Sequence, residues 1–219
     1  DLWAVDTYDE VRLNRGYARF KAGLLGNTFH VAEKQLRENP LNALANAYYG
    51  EYLTVRGQPE LGLSYLEKAI LLDPNLGLAH LLRAEIYVSS GLEHDAKEAL
   101  DLSTGLNLPT SRHYVERADL YASFGEFDLA FSDLREALQI NPDQADAHYV
   151  RGKTHARLND FNPAIDEFTT AIRLNPNYTG AYLWRGTAYH NLGRYQRAIQ
   201  DYDKAIQLDP DLALAYNNR

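Results

Sequence analysis

The chain has 219 residues, a formal charge of −8 and neither cysteine nor methionine. Zero cysteine removes disulfides, thiolate nucleophiles and Cys-ligated zinc together, and a negative field spread over both halves repels a phosphate backbone, so nucleic acid is not an expected partner. No apolar run approaches the roughly 18 residues that span a bilayer, and the opening "DLWAVDTYDE" lacks the basic start and apolar stretch of a signal peptide.

Without a methionine, Asp1 reads as a processed or excised N-terminus. The composition, 45% hydrophobic and 24% charged, is that of an ordinary water-soluble protein and leaves the compartment open.

In chain order, residues 1–8 read as an extension and 9–42 as a degenerate helix pair. Five regular pairs follow at 43–76, 77–110, 111–144, 145–178 and 179–212, and 213–219 begins a further unit or a capping helix. The division rests on punctuation with a period of 34. Prolines stand at 40, 74, 142, 176 and 210, with Leu108 in the sixth slot and Pro109 one place later. Glycines stand at 23, 57, 91, 125 and 193, and Asn159 fills the missing place. Asn is the next residue after Gly to tolerate positive φ, so each unit reads as helix, tight turn, helix and proline joint.

Small residues recur in the same phase: Gly16, Gly50, Ala84, Ala118, Gly152 and Gly186 in one slot, and Gly62, Ala96, Ala130, Ala164 and Ala198 in another. Large ones fill a complementary slot: Leu66, Leu100, Leu134, Phe168 and Tyr202. Small against large at fixed phase is how a solenoid builds a continuous core from repeated joints.

The stretch "AYLWRGTAYHNLGRYQRAIQDYDKAIQLDP" resembles a tetratricopeptide (TPR) repeat, in the N-R-G-x-A-Y-x-x-L-G-x-Y subtype frequent in bacterial proteins. In "NRGYARFKAGLLGNT" the first helix of the pattern is kept, but Thr28, Ala32 and Gln35 depart from the second. The resemblance implies an all-α fold, a right-handed superhelical solenoid of antiparallel helix pairs, with a concave groove lined by the first helices. It implies binding of a protein or an extended peptide. The sequence shows no nucleophile elbow, phosphate loop or paired catalytic carboxylates in a distinctive setting, so no catalytic residue or cofactor is expected.

Two sets of residues carry candidate function. Arg15, Arg83, Arg117, Arg151, Arg185 and Arg219 form a ladder in phase, with Tyr49 in the skipped rung. They could face a polyanion. The preferred reading is structural, each guanidinium meeting an acid on a second helix, and Asp133, Glu167 and Asp201 recur at the required spacing. By the resemblance, slots 2, 5, 6, 9, 12 and 13 of each repeat face a ligand. Slot 9 holds Glu51, Glu85 and Asp119, then Lys153, and nearby slots hold Tyr149, Arg157, Trp184 and His190. The groove is then acidic toward its N-terminal repeats and basic with aromatics toward its C-terminal ones. The plain alternative is a solvated face without a partner preference.

The acids of slot 9 would repel the terminal carboxylate taken by chaperone-tail binders of this family, so that function is not carried over. His80, His148 and His155 occupy slots held elsewhere by tyrosines such as Tyr114 and Tyr121, so they read as packing and not as metal ligands. Two functions remain: a binding scaffold, or a structural subunit that stacks end to end as a homo-oligomer through its terminal repeats.

Overall fold

The computed structural model describes residues 31–219. The expectations for residues 1–8, for Arg15 and for most of 9–42 lie outside them. All regular structure among the described residues is α-helical, and the chain divides into two compact units on either side of Pro109 and Thr110.

In the first unit α1 covers residues 31–38, followed by α2 (Ala43–Val55), α3 (Pro59–Leu72), α4 (Gly77–Ser89) and α5 (Glu93–Ser103). Helices α2 and α3 pack as a hairpin, as do α4 and α5, and α4 also packs on α3 and beside α2. Asn42 starts α2, its side chain accepting from the Ala45 amide. Pro59 opens α3, where its missing N–H belongs to a group with no intrahelical partner anyway. The core joins Ala47, Leu66, Ala69, Leu78, Ala79, Leu82 and Ile86.

Helix α5 is only 11 residues long, against 14 for α3. Gly105 takes φ of 73°, unwinds what would be the last turn, and the chain returns along the start of α4. A Cβ on Gly77 would lie 2.9 Å from both the Asn107 carbonyl oxygen and Leu106 Cβ, so a glycine at the head of α4 makes this return possible.

The second unit contains α6 (Ser111–Ser123), α7 (Phe127–Ile140), α8 (Ala145–Arg157), α9 (Phe161–Leu174), α10 (Thr179–Asn191), α11 (Tyr195–Leu208) and α12 (Ala213–Asn218). Successive helices pair as hairpins, α6 with α7, α8 with α9, and α10 with α11; α12 closes on α11. Helices α6, α8 and α10 also touch in sequence, so the first members of the pairs form one layer. Phe168 packs with Ala156, Ala164 and Trp184, and Tyr202 with Leu183, Ala198, Ala205 and Leu212.

The punctuation has a local cause at each position. The turns inside the hairpins are left-handed at Gly57, Gly91, Gly125 and Gly193, and Asn159 takes φ of 63° in the same place. At the joints the residue before proline caps the loop. Asn39, Asp73, Asn175 and Asp209 each accept, on the side-chain oxygen, the amide two residues ahead, at 3.0–3.2 Å. The proline carbonyl is then taken by a side chain six residues on: Asn46 to Pro40 (3.1 Å), His80 to Pro74 (2.8 Å), His148 to Pro142 (3.3 Å) and Tyr182 to Pro176 (3.3 Å). Asparagine, histidine and tyrosine interchange in this slot because each carries an N–H or O–H donor at its tip.

Candidate functional site

In the second unit two polar side-chain contacts join neighbouring pairs within the layer of α6, α8 and the head of α10. The Lys153 ammonium on α8 donates to Asp119 Oδ1 on α6 at 2.9 Å, and Lys153 is only 7% exposed. It also lies 5.6 Å from the centre of the Tyr149 ring, one helical turn earlier. Tyr149 in turn meets Tyr178, at the head of α10, with ring centres 4.7 Å apart. The Tyr178 hydroxyl donates to Asp146 Oδ1 at 2.7 Å. Gly180 gives Tyr149 room, since a Cβ there would lie 3.0 Å from the tyrosine oxygen.

The two carboxylates of this face respond in opposite ways. Burial works against the charge of Asp119, but Lys153 and the nearby Arg157 more than offset it, and its pKa falls below the usual aspartate value. Burial raises that of Asp146, with Glu116 adding to the effect and the Tyr178 hydrogen bond opposing it.

Asp119, Tyr149, Lys153 and Arg157 therefore come together, and the first and third neutralise one another. An acidic end and a basic end do not divide between them, because a lysine one repeat on reaches back to the preceding helix. Trp184 does not join them at the surface. At 6% exposure it is core, against Phe168, since a ring of that size in a layer of alanines fills volume between helices. His190, half-buried, packs edge-on to Tyr195 with centres 5.3 Å apart. Glu51, 2% exposed, and Glu85, half-buried, belong to the first unit. Tyr178 and Asp146 escape the sequence reading. The signal for them is Tyr178 itself, an aromatic in the joint slot that holds Leu76 and Gln144 in other units.

The arginines have their own geometry. Arg117 donates to Asp133 through Nε (2.7 Å) and Nη2 (2.8 Å), and Arg185 to Asp201 through the same pair of nitrogens (2.8 and 2.7 Å). Arg151 holds Glu167 at 2.9 Å, and His148 shares that carboxylate at 2.8 Å. Arg219 meets Asp203 instead, at 2.7 Å. In the skipped rung Tyr49 packs against Tyr65, ring centres 4.8 Å apart and planes tilted by 58°. Arg117, Arg151 and Arg185 thus link the two helices of a hairpin, while Arg219 reaches back to the preceding helix α11.

The trio His94, Asp95 and Glu98 has ligand atoms within 4.8 Å of one another, yet all three are exposed and lack the enclosure of a metal centre. Among the described residues, no helix is long and apolar enough to cross a membrane.

Comparison with known proteins gives a consistent result. One family model, described as tetratricopeptide repeat, matches residues 149–213, and a second, TPR repeat, matches 118–159. No curated protein matches. Among solved structures, YrrB, a TPR protein with an unusual peptide-binding site, is 21% identical with a TM-score of 0.64, over 85% of this chain and 96% of its own. The APC/C hetero-tetramer Cut9–Hcn1 gives 19% and 0.67, over 99% of this chain and 43% of its own. MamA gives 24% and 0.60, over 75% and 96%. At such identities the likeness is one of fold, a superhelical solenoid of helix pairs.

Proposed function

We propose, from the premise that this chain is a tetratricopeptide-repeat protein, that it is a non-enzymatic binding scaffold and takes an extended segment of a partner protein along the layer of its first helices. Its regular repeats run 43–76, 77–110, 111–144, 145–178 and 179–212, each beginning where a first helix begins, after a degenerate repeat at 9–42 that lies mostly outside the described residues. The observation that carries the reading is the continuous line Asp119–Lys153–Tyr149–Tyr178–Asp146 across α6, α8 and the head of α10.

Such a line suits a peptide for a physical reason. Its charges and rings are held by neighbours on the next helix, so little side-chain entropy remains to be lost when a ligand settles on them. Tyrosine contributes both apolar area and a polar tip. Arg157, which with Lys153 favours the charged form of Asp119, offers a guanidinium fork for an acidic residue of the ligand. The peptide-binding site of YrrB, on the same fold, supports this class of role.

The test is selection of a displayed random-peptide library on the 219-residue chain, followed by fluorescence anisotropy with the selected peptide. Tyr149→Ala and Arg157→Glu are expected to weaken binding at least about tenfold, while Glu98→Gln on α5 leaves it unchanged. Equal loss in all three would reject the assignment. Light scattering over a concentration series separates the other role: a constant mass near 24.8 kDa fits a scaffold, and a mass that climbs with concentration makes end-to-end assembly its job.

A further inference from the structure

Three consecutive hairpins of the second unit carry the same device. An arginine on the first helix binds an acid 16 residues on, across the hairpin: Arg117 with Asp133, Arg151 with Glu167, Arg185 with Asp201. In the first unit the α4–α5 hairpin keeps the arginine, as Arg83, but the residue 16 places on is Ala99. Ala99 is 1% exposed, at the packed centre of the pair. Arg83 is half-buried and has no ion-pair partner among the described residues; its Nε, like that of the acid-paired Arg151, is shut off from solvent without an acceptor. A guanidinium is always charged and presents its donors as a planar fork that matches a carboxylate. Shielding such a donor from water without an acceptor is costly.

The other acid to consider is Glu67 on α3. It precedes Arg83 by the 16 residues that separate Asp203 from Arg219, and Thr169 from Arg185. Glu67 is exposed, and among the described residues no acid lies within salt-bridge distance of Arg83.

We propose that the α4–α5 hairpin is a carboxylate receptor, in which Arg83, paired in register with Ala99 where its sister hairpins supply an acid, takes a carboxylate from outside the repeat. An acidic side chain of a partner protein and a small free carboxylate share this chemistry. The receptor lies outside the first-helix line described above and does not depend on it.

The test uses the whole chain and acetate as the probe. Thermal unfolding is followed with rising sodium acetate exchanged for sodium chloride at constant ionic strength. The wild type should gain about 2–4 °C in Tm at saturating acetate. Ala99→Asp supplies the acid internally and should lose the response, and Arg83→Gln should lose it by removing the fork. Glu67→Gln should keep it. Titration of a capped Gly-Glu-Gly peptide beside acetate identifies the source: tighter binding of the peptide assigns the receptor to a partner's side chain, and equal binding assigns it to small carboxylates. A wild type indifferent to acetate, or an Arg83→Gln variant that responds as the wild type does, overturns the proposal.

Discussion

Arg117 and Asp133 join α6 to α7 by two parallel bonds of 2.7 and 2.8 Å, with the arginine only 4% exposed. Such a pair contributes little net stability against an apolar replacement, yet losing one partner strands a buried charge. Asp133→Ala should therefore lower stability by about 3–5 kcal/mol. The double change Arg117→Met with Asp133→Leu should recover most of that loss. Urea midpoints of the two variants, at unchanged slope, check the contrast.

Gly152 and Phe168 form a matched joint. A Cβ on Gly152 would lie 2.7 Å from the phenylalanine ring, and one on Gly186 would lie 2.8 Å from Tyr202. Where the second helix carries Leu100 or Leu134, the same slot holds Ala84 or Ala118. Gly152→Ala should thus overpack the joint and cost about 1–3 kcal/mol. Adding Phe168→Leu should remove most of that penalty, an interaction that a double-mutant cycle in urea reads directly.

Acid unfolding should depend on Glu167. Burial works against its charge, but hydrogen bonds from His148 and Arg151 more than offset it, and its pKa drops below the usual glutamate value. A folded-state pKa lower than the unfolded one means that the unfolded chain takes up the proton first as pH falls. The stabilisation is then present above the ordinary value of about 4.3 and is lost as pH falls through the folded value. Glu167→Gln should be less stable at pH 7 and show a shallower loss of stability below about pH 4.3. Asp146, raised by burial, has the opposite sign. Its contribution is present below the unfolded pKa of about 3.9 and is lost as pH rises through the folded value. Asp146→Asn keeps an oxygen for the Tyr178 hydroxyl and should be at least as stable as the wild type at pH 7. Thermal scans between pH 3 and 7 test both.

Asn159 holds a φ of 63° where four other hairpins use glycine. The left-handed conformation costs a side chain about 1–2 kcal/mol, less for Asn than for most. Asn159→Gly should leave stability unchanged or raise it slightly, whereas Gly193→Ala, at φ of 70°, should lower it. Parallel thermal melts of the pair give the comparison.

The hairpin architecture is legible because its determinants are local. A glycine or asparagine at a left-handed turn and an Asp-Pro or Asn-Pro joint act within a few residues and recur every 34. The early end of α5 has a local cause too, Gly105, which the period alone does not reveal. What spacing cannot supply is the reach of a long side chain. Lys153 and Asp119 occupy the same slot of neighbouring repeats, and nothing in that slot tells whether the lysine extends outward or back to the previous helix. Trp184 is the converse case. Its slot by resemblance faces a ligand, but the free energy of burying a large ring beside Phe168 and small neighbours takes it into the core. Asp146 becomes visible only once Tyr178 is in position to donate to it.

The most direct test of the binding account is amide chemical-shift mapping of the 219-residue chain as a library-selected peptide is added. The account predicts perturbations concentrated on α6, α8 and the head of α10, including Asp119, Tyr149, Lys153 and Tyr178. Perturbations concentrated instead on α7, α9 and α11, with those four amides unmoved, would contradict it.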